Sequence, residues 1–237
     1  MKKRVVVALA VVVIISVISS VLYKENTLSK GTIKSVSTSK SLKPMPTVII
    51  DAGHGGFDGG AVAADGTIEK DLNLSIALKL NAVLKVMGFN TVLTRSADLS
   101  MEDEDVTGSK KVSDMKNRLK IMQKYPEAVF ISIHMNKFGT SQPNGTQVFY
   151  GVTEGSEMLA KSIQTSVKQE LQPLNHRVVK KTNKDIYLLY NSTIPSVIIE
   201  CGFLSNSGDL ENLKSEDYQK AISWAITKGV AMYFKEK

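Results

Sequence analysis

Cysteine and histidine are scarce in this chain of 237 residues, which contains one Cys and three His. The single cysteine, Cys201, excludes an intrachain disulfide and also a zinc site built from several cysteines. A histidine-based metal site would have to use His54, His134 or His176. The composition, 43% hydrophobic and 22% charged, is ordinary for a globular protein, so extensive disorder is not expected.

The positive charge of the chain is confined to its N-terminal part. Residues 1–46 contain eight Lys or Arg and one acid, whereas residues 47–237 contain 22 basic and 22 acidic residues. The net charge of +7 therefore belongs to the first 46 residues. Because the remainder has no basic excess with which to hold a polyanion, we predict no nucleic-acid partner.

One long uncharged run follows the N-terminus. Lys2, Lys3 and Arg4 precede residues 5–22, which contain no charged side chain. As a helix this run would span about 27 Å, close to the thickness of a bilayer core. The positive flank should stay in the cytoplasm and place the rest of the chain outside. We assign residues 1–23 to a signal anchor, with a cleaved signal peptide and a buried helix as alternatives.

A change in composition separates this run from the rest of the chain. Residues 24–46 are rich in Lys, Ser and Thr and end near Pro44 and Pro46, which predicts a flexible basic linker. Its lysines would lie near an anionic membrane surface. Residues 47–237 are predicted to form one folded domain.

Short apolar runs alternate with longer amphipathic stretches along this domain. The alternation predicts an α/β fold, a three-layer sandwich with a mostly parallel central sheet and helices on both faces. The predicted strands are 48–51, 89–93, 128–133, 146–150, 186–190 and 196–200, and the predicted helices are 71–87, 113–124, 154–171 and 216–234.

Three predicted strands end in residues that can do chemistry. Asp51 ends the first strand and His54 follows it, His134 and Asn136 follow another, and Glu200 ends the last. The carboxyl ends of parallel strands meet at one edge of a sheet, where ligands bind in such folds. Two imidazoles and one carboxylate with an open fourth position are a catalytic zinc set. We therefore predict one Zn²⁺ ion that activates water at this edge.

The spacing of the acids leaves the third ligand open. The candidates are Asp51, Asp58, Glu69, Asp71 and Glu200. Glu69 lies just before the first predicted helix, where acids are also common because they complement the helix dipole. A second carboxylate nearby could serve as the general base and pass a proton to a leaving amine.

The other reactive residue types have simpler interpretations. The glycines after the first strand do not form a phosphate loop, because Asp58 breaks the G-x-G-x-x-G pattern. Cys201 should face away from its neighbour Glu200 and lie in the core. His176 is expected on the surface. The acidic segment 96–112 should be a solvated loop, with a partner-docking surface as the alternative.

Four separated motifs carry a family resemblance. They are VIIDAGHGG from Val48, EKDLN from Glu69, SIHMN from Ser132 and IECGFLSN from Ile199, and the pair Thr94-Arg95 accompanies them. Over residues 47–235 the chain resembles the zinc-dependent N-acetylmuramoyl-L-alanine amidases of the Amidase_3 type. The resemblance implies that His54, Glu69 and His134 bind zinc and that Glu200 is the catalytic base. The family usually has Ala where this chain has Met135, which would narrow the cleft.

The resemblance implies a peptidoglycan hydrolase. Its reaction would cleave the amide between the lactyl group of N-acetylmuramic acid and L-alanine, with Asn136 as a weaker candidate for binding substrate. Another zinc peptidoglycan peptidase, and an inactive membrane-tethered wall-binding or regulatory protein, are the alternatives.

The short chain with one hydrophobic segment further resembles the CwlD-type amidases of spore formers. This implies a role in spore cortex maturation, through muramic-lactam formation, and in germination. The expected location is extracytoplasmic, membrane-anchored or secreted, and includes the forespore intermembrane space. Since no insertion able to plug the cleft is evident between His134 and Glu200, restraint of the enzyme is expected to come from expression timing, from location or from a protein partner or activator, with segment 96–112 as the docking surface for that partner.

Overall fold

The computed structural model describes residues 45–105 and 107–237. The predicted membrane segment at 1–23 lies outside the described residues, as does nearly all of the predicted linker at 24–46. Among the helices of the described ranges, none is both long and apolar enough to cross a membrane.

Strands and helices alternate along most of the described chain. The strands are β1 (Thr47–Ala52), β2 (Asn90–Leu93), β3 (Val129–Asn136), β4 (Gln147–Tyr150), β5 (Lys180–Lys181) and β6 (Ser196–Phe203). The helices are α1 (Glu69–Val86), α2 (Lys110–Gln123), α3 (Ser156–Glu170), α4 (Tyr187–Asn191), α5 (Ser207–Lys214) and α6 (Glu216–Glu236).

The strands form one mixed sheet in the order β2-β1-β3-β6-β4-β5. Strands β2, β1, β3 and β6 run parallel, and β4 pairs antiparallel with β6. The predicted α/β fold with a mostly parallel sheet is confirmed. Because β1, β3 and β6 are adjacent and parallel, the residues at their carboxyl ends lie along one edge of the sheet.

Both faces of the sheet are covered by helices, as a parallel sheet requires. Alternate residues of β1 contribute to the two faces, since successive side chains of a strand point in opposite directions. Ile50 packs in the larger core with Leu80 of α1 and Val230 of α6. Ile49 packs in the smaller core on the other face, with Met122 of α2 and Leu188 of α4.

The strand predicted at 186–190 is wrong, because Tyr187–Asn191 forms the helix α4. Leu188 and Leu189 are both buried. A short apolar run that is buried throughout cannot be assigned to strand or helix from periodicity alone. Helix α5 was not predicted, and α1 begins at Glu69 rather than at residue 71. Glu69 is therefore the first residue of the helix.

Candidate metal centre

His54 reaches the sheet edge through an unusual backbone turn. The chain leaves β1 at Ala52, and His54 has a φ of 61°, a left-handed conformation that non-glycine residues rarely adopt. Glycines make room for the imidazole rings. A Cβ on Gly53 would lie 2.2 Å from His134 Nε2, and one on Gly60 would lie 2.7 Å from His54 Cδ2. These two glycines therefore serve close packing around the histidines rather than phosphate binding.

Glu69 stands between the two histidines. Its Oε1 lies 3.3 Å from His54 Nε2 and 3.0 Å from His134 Nδ1. Backbone N–H groups hold both carboxylate oxygens, from Met135 to Oε1 at 3.1 Å and from Ala61 to Oε2 at 2.8 Å. Burial opposes ionisation, but the hydrogen bonds with His134 and His54 outweigh it, so the pKa of Glu69 is lowered.

These contacts define a compact donor set. The ligand atoms of His54, Glu69 and His134 all lie within 4.8 Å of one another. Two imidazole nitrogens and one carboxylate oxygen suit a zinc ion that keeps an open coordination position. In addition, His54 Nδ1 lies 2.9 Å from Asp58 Oδ2. A carboxylate that contacts the second ring nitrogen is typical of metal-binding histidines. The residues present therefore fit a metal ion.

The remaining acids named as possible third ligands lie elsewhere or have other partners. Asp51 is buried and accepts hydrogen bonds from Thr94, Ser132 and Arg118. Asp71 is exposed on α1. Asp58 contacts His54 through the ring nitrogen that faces away from Glu69.

Glu200 lies on the neighbouring strand at the level of His134. The two residues are register partners in the parallel pair β3–β6, so their side chains extend from the same face of the sheet. Burial raises the pKa of Glu200 to about 7, and the field of the two histidines offsets only part of this effect. Its buried Oε2 has no hydrogen-bond partner among the described residues. A carboxylate with a buried, unpaired oxygen beside a cluster of metal-ligand type is a candidate proton acceptor.

Four other predictions can be compared with the structure. Cys201 is buried in the core and burial raises the pKa of its thiol, which argues against a nucleophile. His176 is exposed, as predicted. Met135 is also in the core, so the expectation that it narrows the cleft is wrong. Asn136 is half-buried at the end of β3, where its carbonyl accepts from Leu204 N at 2.7 Å.

The sequence assigned no role to two buried arginines near the site, although Arg95 belongs to the residues that carry the family resemblance. Arg95 and Arg118 are almost fully buried and donate to backbone carbonyls of the loop that carries His54. One signal was available for Arg118. Asp114, Arg118 and Met122 follow one another at intervals of four, so two charged residues share the helix face of a buried methionine.

The fold and the donor set together define an α/β protein with a candidate metal site at the carboxyl ends of its parallel strands. A family profile described as N-acetylmuramoyl-L-alanine amidase, Amidase_3, matches residues 48–232. The chain belongs to this family, and it is an N-acetylmuramoyl-L-alanine amidase.

Individual relatives are similar over the same part of the chain. The germination-specific N-acetylmuramoyl-L-alanine amidase of Bacillus subtilis is 34% identical over 193 residues, which cover 80% of each chain. The CwlD amidase from Clostridioides difficile, solved in complex with the GerS lipoprotein, is 42% identical with a TM-score of 0.77. That match covers 81% of this chain and 100% of the other. AmiC2 of Nostoc punctiforme is 30% identical with a TM-score of 0.69, covering 80% and 97%.

Proposed function

We propose that this amidase uses one zinc ion to hydrolyse the bond between the lactyl group of N-acetylmuramic acid and L-alanine in peptidoglycan. The observation that carries the proposal is the convergence of His54, Glu69 and His134 within 4.8 Å. Zinc held there supplies Lewis-acid polarisation of the scissile carbonyl and makes water more acidic.

The protein groups divide the remaining work. His54, Glu69 and His134 hold the ion, and Asp58 orients the His54 ring through Nδ1. Glu200 accepts the proton of the attacking water and returns it to the amine of L-alanine as the amide bond breaks. The raised pKa of Glu200, about 7, suits a group that must both take and release a proton near neutral pH. The half-buried Asn136 contacts the substrate or orients a ligand.

Digestion of purified peptidoglycan, with and without zinc, tests this proposal by mass spectrometry of the products. An amidase releases stem peptides with a free L-alanine N-terminus, whereas a carboxypeptidase would release D-alanine. His54→Ala and His134→Ala should lose both zinc and activity. Full zinc occupancy in both variants, measured by elemental analysis, would exclude the assigned ligands. An absence of any product from the unchanged chain would instead support a wall-binding role.

We further propose that the enzyme acts in the spore cortex and so in germination. The similarity to the germination-specific B. subtilis amidase and to C. difficile CwlD supports this role. Expression in a spore former that lacks its own cortex amidase should restore muramic lactam in the cortex. Glu200→Gln is the matched control and should restore none. Lactam levels that stay at background with the unchanged enzyme would assign it to another part of the wall.

The proposed location is extracytoplasmic, with residues 1–23 as a membrane anchor or a secretion signal. The long uncharged run behind Lys2, Lys3 and Arg4 supports this proposal. Cell fractionation combined with protease treatment of spheroplasts tests it. Protection of the enzyme from added protease in intact spheroplasts would contradict it.

A protein partner is proposed to bind segment 96–112 and to change metal affinity or the order of the cleft. The GerS complex of the C. difficile relative supports a lipoprotein-type partner. Glu104 and Asp105 are exposed within this segment. Reversing both charges to Lys should abolish stimulation by the partner and leave basal hydrolysis intact. Reversal of the exposed Glu211 and Asp217 on α5 and α6 is the control. Equal stimulation of both double variants would exclude this surface.

A further inference from the structure

The loop that carries His54 has its carbonyl groups bound by buried side chains rather than by the sheet. Arg95 donates from Nε to Ala52 O at 2.9 Å and from Nη2 to Gly53 O at 3.0 Å. Arg118 donates from Nη1 to Ala52 O at 3.0 Å and from Nη2 to His54 O at 2.7 Å. Of these two arginines, Arg118 is the one bonded to the carbonyl of the metal-site histidine itself.

The guanidinium of Arg118 is locked in place by two acids. Its side chain is only 1% exposed. Asp114, one helical turn earlier, accepts from Nε at 2.7 Å and from Nη2 at 3.2 Å, and Asp51 accepts from Nη1. Asp51 is held in turn by Thr94 Oγ1 at 2.7 Å and by Ser132. A planar guanidinium fixed on both sides in this way directs its two remaining N–H groups to Ala52 O and His54 O with little freedom.

The backbone of His54 needs such support. It is the one non-glycine residue with positive φ among the described residues. A strained backbone conformation of this kind persists only where several surrounding contacts hold it in place. The imidazole also has no room to compensate for a backbone shift. A Cβ on Gly60 would lie 2.9 Å from His54 Nε2, and the ring centroid of His54 is 4.9 Å from that of His134.

We propose that Arg118 is a positioning residue for the metal centre. Its guanidinium holds the carbonyl of His54, fixes the left-handed backbone there and so directs the imidazole toward Glu69 and His134. This role rests on the proposed metal-binding function of the three residues. Arg118 itself forms no hydrogen bond to the ligand atoms, because its donors are taken up by Asp51, Asp114 and the carbonyls of Ala52 and His54.

Arg118→Lys in the full-length chain tests this role. Lysine keeps the charge between Asp51 and Asp114, but its point-like ammonium cannot reproduce the fork that also reaches His54 O. The apparent Kd for Zn²⁺, measured by competition with a chromophoric chelator, should rise about tenfold or more, the range for loss of an outer-shell partner. At saturating Co²⁺, the visible absorption bands should change in position or intensity because the ligand geometry changes.

A loss of stability alone must be separated from a loss of positioning. Val230→Ala is the control, because it removes core side-chain volume on α6 and should lower stability without changing the loop that carries His54. This variant should keep the zinc affinity and the cobalt spectrum of the unchanged chain. If Arg118→Lys does not fold, Asp114→Asn replaces it. The asparagine oxygen can still accept the hydrogen bond from Met101 N, but the charged carboxylate that fixes Arg118 is lost. A smaller rise in the Kd for Zn²⁺ is therefore expected.

The outcomes distinguish this proposal from the proposed function. Tight zinc binding by the unchanged chain, together with weakened binding and an altered cobalt spectrum in the folded variant, supports the positioning role. Unchanged zinc affinity and an unchanged spectrum in folded Arg118→Lys, or in Asp114→Asn where that variant replaces it, would overturn the role and leave the metal centre standing. Failure of the unchanged chain to bind zinc would overturn the metal centre and this role with it.

Discussion

Two glutamates near His134, the buried Glu69 and the partly buried Glu200, differ in their surroundings. Glu69 contacts both histidines and accepts two backbone N–H groups, and these bonds stabilise its ionised form. Burial instead raises the pKa of Glu200 to about 7. Environments that push the pKa values of neighbouring acids apart are typical of sites where the acids have different roles. Glu69 is therefore suited to hold a cation, and Glu200 to exchange a proton.

Exchanging each carboxylate for an amide should separate these roles. Glu200→Gln should keep bound zinc and lower turnover by about 10²-fold or more, because the general base is lost. Glu69→Gln should lose zinc as well, because a ligand charge is removed. Elemental analysis and muropeptide hydrolysis measure the two quantities. Zinc loss in Glu200→Gln together with retained zinc and activity in Glu69→Gln would reverse the assignment.

Gly53 offers a test of packing at the metal centre without backbone strain, since its φ lies outside the left-handed region. In Gly53→Ala the new methyl would lie 2.2 Å from His134 Nε2, so the ring must move. Displacement of a site group by about 1 Å can cost about 10²-fold in rate, and a loss of that order is expected here. Gly139→Ala is the matched control, because its Cβ meets nothing within 4 Å. Equal kcat/KM values for the two variants would contradict the crowding seen here.

At the scale of the element, the N-terminus of one helix connects the segments that follow β3 and β6. Helix α5 begins directly after the turn that leaves β6, with Asn206 as its N-cap. Asn206 Oδ1 accepts from Asp209 N at 3.0 Å, and its Nδ2 donates to Ser141 O at 2.7 Å. This residue therefore joins the segments that follow β3 and β6, the strands of His134 and Glu200.

Asn206→Ala should lower the free energy of unfolding by about 1 kcal/mol, the usual cost of losing an N-cap. Ser215→Ala, at the N-cap of α6, is the comparison. Its hydroxyl accepts from Tyr218 N at 3.5 Å, which is a weaker bond, so a smaller loss is expected. Urea unfolding measures both variants. A larger loss of unfolding free energy in Ser215→Ala than in Asn206→Ala would show that the two hydrogen-bond lengths do not predict which N-cap stabilises the protein more.

At the scale of the whole molecule, charge and chemistry are separated along the chain. Residues 47–237 have equal numbers of acidic and basic side chains, and they contain every residue of the metal centre. The basic excess lies in residues 1–46. Hydrolysis should therefore not depend on residues 1–46. Binding to an anionic membrane surface should depend on them.

A chain reduced to residues 47–237 is expected to be soluble and to hydrolyse soluble muropeptides as fast as the full-length chain. The reason is that the core, the sheet and the site all lie within this range. Binding to anionic vesicles, measured by co-sedimentation, should be lost at the same time. Loss of hydrolysis with a normal circular dichroism spectrum would mean that the first 46 residues contribute to the site.

The sequence by itself determined the fold class and the strand ends that meet, because parallel strands buried on both faces read as uninterrupted apolar runs. It also singled out His54, His134 and Glu200, since each lies at or shortly after the end of such a run. It could not assign α4, whose buried leucines fit a strand as well as a helix.

Only the tertiary structure decided which partners the acids and arginines near the site bind. Asp51 and Asp58 both lie within four residues of His54 in the sequence, yet Asp51 binds Arg118 and Asp58 contacts the imidazole of His54. Arg118 lies on α2, 67 residues from Asp51, so this ion pair depends on packing in three dimensions. No local pattern of residues around Asp51 encodes it.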